Sequence, residues 1–215
     1  MIQTAIFDMD GLLIDSEPLW FEAAVEVFNP LGINLTPALY ADSVGLRTKE
    51  FVEHWFKYYA FDQLKAPATI EAINDVVIEK IKQKGEALPG VEYVLELLQK
   101  ERINIGLATS SPYRLIDVIV DKLNIRSYFS AFSSAEHLEF GKPHPQVYLD
   151  CAASLQSKPV DCICFEDSFY GMIAAKSARM RCVVIPHMDV RDQLRFRAAD
   201  HLLHSLHDFT KEMLA

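Results

Sequence analysis

Residues 2–18 read Ile-Gln-Thr-Ala-Ile-Phe-Asp-Met-Asp-Gly-Leu-Leu-Ile-Asp-Ser-Glu-Pro. The first six are mostly apolar, too few for a stable helix, and they run directly into Asp8 and Asp10. A short, nearly continuous apolar run is the pattern of a strand buried on both faces. Asp8 and Asp10 then leave the carboxyl end of that strand. In an extended segment, residues two apart point the same way.

Outward from this stretch, similar runs recur at Asn104–Ala108, Cys162–Phe165 and Cys182–Ile185, with a weaker one at Ala131–Ser134. Helical spacing lies between them: Val91, Val94, Leu95 and Leu98; Leu115, Ile116, Ile119 and Leu123; Val147, Tyr148, Cys151, Ala152 and Leu155. Alternating strands and amphipathic helices predict an α/β protein, a doubly wound parallel sheet with helices on both faces.

Residues 16–85 break the alternation. They hold three helical stripes and no strand: Trp20, Ala23, Ala24, Val27, Phe28 and Leu31; Phe51, Val52, Trp55, Phe56 and Tyr59; Ile70, Ile73, Val77 and Ile81. The organisation expected is a sheet core of residues 1–15 and 86–215 with a small helical cap, 16–85, inserted after the first strand. Asp15-Ser16 and Leu88-Pro89-Gly90 are the expected hinges, since Pro and Gly punctuate elements. The stripes themselves read as cap core.

The 215 residues carry 30 acidic and 21 basic side chains, a net charge of -9. Such a chain lacks the basic footprint that nucleic-acid binding requires. No apolar run approaches the ~20 residues of a membrane span, and the first residues lack the basic segment of a signal peptide. The four cysteines, Cys151, Cys162, Cys164 and Cys182, form no zinc pattern and read as buried thiols of a reducing compartment. A monomeric cytoplasmic protein is expected.

Ligands of open parallel sheets bind beyond the carboxyl ends of the strands. There the chain places Asp8 and Asp10, then Thr109, Ser110 and Ser111, then Lys142, then Glu166 and Asp167. Crowded carboxylates repel unless a cation lies between them. An all-oxygen set completed by a phosphate and water suits Mg²⁺. Ser111-Pro112 reads as a helix start, Ser as N-cap and Pro at the first position, whose free N–H groups would face an anion. Lys142 lies in Gly141-Lys142-Pro143-His144-Pro145, stiffened by its prolines. Carboxylates, a divalent cation, a lysine and hydroxyl donors suit phosphoryl transfer, where holding the group and neutralising its charge supply most of the catalysis.

These residues, in this order, resemble the four motifs of the haloacid dehalogenase-like hydrolases, and the resemblance spans essentially the whole chain. The runs 7–18, 141–148 and 165–168 carry it. Within the family the chain is similar to the β-phosphoglucomutase-like branch, and most of all to its bacterial 2-deoxyglucose 6-phosphate and hexitol phosphatases. The resemblance implies a phosphomonoesterase acting on a small sugar or polyol phosphate, with Asp8 as nucleophile and Asp10 as general acid and base. It implies Mg²⁺ held by the Asp8 carboxylate, the Asp10 carbonyl and Asp167, with Glu166 a ligand or a neighbour of one. Thr109 and the Ser110 amide would hold the phosphoryl oxygens, with Ser111 beside them, and Lys142 would bridge Asp8 and phosphate. Gly45-Leu46-Arg47 resembles the substrate-specificity loop, which makes Arg47 a candidate for substrate contact. The alternative is a phosphosugar mutase. Mutases of this branch carry a histidine where this chain has Trp20, which favours the hydrolase.

Overall fold

The computed structural model describes residues 2–41 and 43–215. In chain order the elements are β1 (Thr4–Phe7), α1 (Glu17–Phe28), α2 (Pro37–Ala41), α3 (Thr48–Tyr58), α4 (Ala66–Lys84) and α5 (Val91–Lys100). Then come β2 (Asn104–Thr109), α6 (Tyr113–Lys122), β3 (Ala131–Ser134), α7 (Gln146–Ser154), β4 (Cys162–Glu166), α8 (Phe169–Ser177), β5 (Arg181–Val184) and β6 (His201–Leu202).

The six strands form one sheet in the order β3-β2-β1-β4-β5-β6, and every pairing is parallel. The chain winds outward from β1 in one direction and then, from β4, in the other. That reversal makes the carboxyl end of β1 the topological switch point. Register places Phe7 opposite both Leu107 and Phe165, so Asp8 emerges level with the ends of β2 and β4.

Each sheet face has its own core. Ala5, Phe7, Leu107 and Phe165 join Val94, Leu95 and Leu98 of α5 and Leu115, Ile116 and Ile119 of α6. Ile6, Ala108, Cys162 and Cys164 join Val147, Tyr148 and Cys151 of α7 and Met172 and Ala174 of α8. The helical stripes of α5, α6 and α7 therefore bury the residues that their spacing marks out, except Leu123 and Leu155, which follow the last turns of α6 and α7 and are half-buried. Each fully buried aliphatic side chain of this kind contributes about 1.5–3 kcal/mol. Phe7 stacks on Phe165 at 4.3 Å between centroids, a rigid floor beneath Asp8.

Between β1 and α5 the regular elements among the described residues are helices, with isolated bridges joining Ile14 to Asp10 and to Ala87. Leu19, Ala23, Phe28, Phe51, Trp55, Phe56, Ile73, Val77 and Ile81 form their buried centre. The chain enters and leaves this helical segment side by side: Asp15 N donates to Glu86 O at 3.0 Å and Leu88 N to Leu13 O at 3.1 Å. Of the expected hinge Leu88-Pro89-Gly90, only Leu88 belongs to these paired crossings. Pro89 and Gly90 lead into α5. Gly90 has φ +90°, and a Cβ there would fall 2.4 Å from the His207 nitrogen, so glycine is required twice over.

Three further details differ from the sequence reading. Pro112, not Ser111, is the residue that precedes the first helical turn of α6, with extended backbone. The last long strand runs Arg181–Val184, one residue earlier than its apolar run. Neither α8 nor the two-residue β6 is announced by periodicity. All four cysteines are buried and unpaired. Among the described residues no helix is long and apolar enough to cross a membrane.

Candidate active site

Asp8 follows β1 directly, its N–H bound to Phe165 O at 2.9 Å. Its side chain is buried, and Oδ1 accepts the Lys142 ammonium at 2.7 Å. The chain then turns sharply: Leu13 N donates to Met9 O at 2.9 Å and Gly11 N to Ile14 O at 3.0 Å. Gly11 sits at φ +73°, and a Cβ there would meet Asp167 Oδ2 at 2.4 Å. Only glycine makes this turn and leaves the carboxylate its place.

Asp10 is held quite differently from Asp8. Its Oδ1 accepts Ser16 Oγ at 2.8 Å and Trp20 Nε1 at 2.9 Å, and its Oδ2 accepts Ser111 Oγ at 2.7 Å. Three donors from two segments, the start of α1 and the loop after β2, fix the carboxylate at the mouth of the site.

Lys142 lies in the loop between β3 and α7, yet is only 5% exposed. Its Nζ is 2.7 Å from Glu166 Oε1 as well as from Asp8, 3.2 Å from Ala108 O and 3.1 Å from the Tyr148 hydroxyl. Burial alone would depress the ammonium, but Asp8 and Glu166 outweigh it and hold the lysine above its usual range. Glu166 is fully buried. Its Oε1 also accepts the Tyr148 hydroxyl, and its Oε2 accepts the Ser168 N–H at 3.3 Å and hydroxyl at 3.0 Å. Gly171 makes room for it, since a Cβ at that position would overlap the carboxylate at 1.8 Å.

Asp8, Glu166 and Asp167 can bring one carboxylate oxygen each within 4.8 Å of one another. Burial raises the Asp8 carboxyl to about 8, opposed by Lys142 and reinforced by Glu166 and Asp10. Asp167 is raised well above the carboxylate range by burial and then by Glu166, Asp8 and Glu17. With all three ionised, the carboxylates against one ammonium leave two negative charges, which a divalent cation would balance. The donors are all hard oxygens, so the residues present fit Mg²⁺.

On the β2 side, Thr109 Oγ1 accepts the Ser111 N–H at 3.1 Å, which leaves its own proton to donate. Ser110 Oγ is buried with no hydrogen-bond partner among the described residues. Both line a cleft of about 690 Å³, counting its open mouth, between the sheet end and the helical segment. The far wall includes Glu17, Trp20, Tyr40 and Phe51, and the Tyr40 hydroxyl donates to Glu17 Oε2 at 3.2 Å. Burial, then the charge of Asp10, raises the Glu17 carboxyl to about 7.

The structure thus brings together Asp8, Asp10, Thr109, Ser110, Ser111, Lys142, Glu166 and Asp167. Ser111, however, turns its hydroxyl to Asp10. Arg47 does not line this cleft; its guanidinium faces the loop before Lys142. Sequence reasoning passed over Ser16, Tyr148 and Tyr40, and placed Trp20 in the cap core although its indole reaches Asp10. An aromatic at core spacing with a polar tip was the available signal, since a buried indole N–H or phenol needs a partner.

The fold matches what comparison with known proteins finds. Residues 5–185 match the family model for haloacid dehalogenase-like hydrolases, and the chain belongs to that family. It is 41% identical to hexitol phosphatase B of Escherichia coli over 99% of this chain and 96% of that protein. It is 33% identical to a phosphorylated carbohydrates phosphatase of Thermotoga maritima over 82% of each. Crystallised β-phosphoglucomutase from Clostridium difficile shares the fold with a TM-score of 0.87 and 24% identity, over 100% of this chain and 96% of that one.

Proposed function

We propose that the chain is a Mg²⁺-dependent phosphomonoesterase that hydrolyses small sugar or polyol phosphates through an aspartyl-phosphate. The observation that carries this reading is the separate anchoring of two carboxylates. Asp8 is locked to Lys142 inside the site, while Asp10 is held at its mouth by Ser16, Trp20 and Ser111.

Asp8 attacks phosphorus, the ester P–O bond breaks, and the leaving alkoxide takes a proton from Asp10. Asp10, now a carboxylate, takes a proton from water. The hydroxide formed attacks phosphorus and breaks the Asp8–phosphate bond, which frees orthophosphate. Lys142 offsets repulsion between Asp8 and the phosphate, worth about 4 kcal/mol for unit charges at ~4 Å and an effective dielectric of ~20. Thr109 and Ser110 donate to phosphoryl oxygens. Mg²⁺, held by Asp8, the Asp10 carbonyl and Asp167, would add positive charge at the transferring group. Glu166 acts behind these ligands, since its four hydrogen bonds to Lys142, Tyr148 and Ser168 orient the lysine.

Residues 16–85 serve as the cap. Lys142 is the basic side chain beside Asp8, and no other lysine or arginine lines the cleft among the described residues. The substrate's far end meets Glu17, Tyr40 and Trp20 instead. A carboxylate and a phenol suit hydroxyls and disfavour a second phosphate. Trp20 offers a donor only, and cannot shuttle a proton as histidine can. Both features support a hydrolase of neutral polyol or sugar monophosphates over a mutase that must hold a bisphosphate.

The test is phosphate release with Mg²⁺ from hexitol and hexose 6-phosphates, sugar bisphosphates, phosphopeptides and DNA 5′ ends. The monophosphates should lead by kcat/KM. Phosphopeptides or bisphosphates outrunning every monophosphate would refute the assignment.

A further inference from the structure

Arg47 directly precedes α3 in the cap and is only 6% exposed. Its Nη1 donates to Ala135 O at 2.9 Å and Leu138 O at 2.6 Å, and its Nη2 to Glu139 O at 3.3 Å. All three carbonyls belong to the loop between β3 and α7 that delivers Lys142. Nη2 also pairs with Glu50 Oε1 at 2.6 Å, and that same oxygen accepts the Gly141 N–H at 3.4 Å. Gly141 packs so tightly on this group that a Cβ would lie 2.7 Å from Arg47 Nε. Four hydrogen bonds therefore cross from the Arg47–Glu50 pair to residues 135–141, ending one residue before the lysine.

These contacts differ in kind from the ion pairs between cap and core. Arg114 on α6 reaches Glu71 and Asp75 of α4, but all three side chains are well exposed, where such pairs contribute little. The planar guanidinium of Arg47 is buried against carbonyls, where charge-assisted bonds are strong and losing a partner is expensive. If the cap lifts, the guanidinium must leave those carbonyls, and the loop loses its outer support.

We infer that Arg47 is a positioning residue: its guanidinium ties the cap to the 135–141 loop, so that cap closure and the setting of Lys142 against Asp8 are one event. The inference rests on the phosphatase reading for the role of Lys142. It replaces the expectation that Arg47 touches substrate.

The test uses the full chain with Mg²⁺. Backbone hydrogen exchange is followed over residues 136–144 without substrate, and kcat and KM are measured with p-nitrophenyl phosphate. Arg47→Ala should exchange this segment at least tenfold faster and lower kcat at least twentyfold, with KM changed less than threefold. Arg47→Lys should restore part of both, Glu50→Gln should shift both in the same direction by less, and Arg114→Ala should leave both as in wild type. Should Arg47→Ala fail to fold, Arg47→Lys and Glu50→Gln decide. Unchanged exchange in the Arg47 variants would overturn the inference. So would a KM rise at unchanged kcat, the mark of a substrate contact. If wild type releases no phosphate from any ester, the phosphatase reading fails, and the exchange data still decide whether Arg47 holds the loop.

Discussion

Lys142 Nζ lies 2.7 Å from Asp8 Oδ1, although 134 residues separate the two in the chain. Glu166 stands at the same distance on the other side of the ammonium. Breaking a buried ion pair by removing one member leaves uncompensated charge and costs about 3–5 kcal/mol. Lys142→Met should therefore lower stability by about that amount in urea denaturation. It should also cut kcat by about 10²–10³-fold or more, since a preorganised charge at the reacting group is lost. A variant as stable and as active as wild type would remove Lys142 from the site.

Asp8→Asn isolates nucleophile from scaffold. The amide keeps the shape and can still accept from Lys142, while one of three crowded carboxylates is gone. Activity should fall beyond detection and the melting temperature should stay within a few degrees. Residual activity within tenfold of wild type would exclude Asp8 as nucleophile. Mg²⁺ at 100-fold over its Kd should stabilise wild type by about 2.7 kcal/mol, and Asp8→Asn by clearly less. Chelator should stop turnover and added Mg²⁺ restore it.

How much of this was legible depended on whether the deciding contacts were local. The stripes of α5, α6 and α7 showed because one face of each is buried and the other wet. In α8 the inward residues are Gly171, Met172, Ala174 and Ala175, three of them small enough for close approach, and they leave no periodic signal. Two-residue β6 exists only through its pairing with β5. The site was readable wherever an apolar strand ends on a polar residue, hence Asp8, Thr109 and Glu166. It was unreadable where a side chain finds a distant partner. Nothing near Arg47 announces carbonyls 88 to 92 residues away, and Ser111 meets Asp10 across 101 residues.

Trp20 tests whether Asp10 needs its third anchor. Trp20→Phe keeps the ring packing and deletes the indole N–H. A single hydrogen bond contributes about 0.5–1.5 kcal/mol net, more when the acceptor is charged. Stability should fall by about that amount, and turnover about tenfold with KM little changed. A pure rise in KM would instead make Trp20 a wall for substrate rather than a support for Asp10.

Glu17 joins the electrostatics of the cleft to stability and to substrate choice. Its carboxyl rises from an ordinary 4.5 to about 7 in the folded protein, through burial first and then the charge of Asp10. Between those values the folded chain keeps a proton that the unfolded chain has released. The unfolded state then binds fewer protons, so stability falls as pH rises from about 4.5 to about 7 and levels off above. Glu17→Gln abolishes this titration and also removes one of the charges that hold the Asp167 carboxyl up, which adds to the effect in the same direction. In chelator the variant should therefore gain on wild type between pH 5 and pH 7.5, by on the order of 2 kcal/mol. That figure is kept below the full shift because water reaches the cleft. Paired denaturation curves at the two pH values measure the gain, and an identical stability difference at both would mean that Glu17 titrates normally. Above pH 7, where the Glu17 carboxyl is ionised, the same variant keeps a hydrogen-bonding group for hydroxyls but drops the negative charge. Its kcat/KM for sugar bisphosphates should accordingly rise relative to that for hexitol 6-phosphates. If the ratio stays at the wild-type value, the charge of Glu17 does not select against a second phosphate.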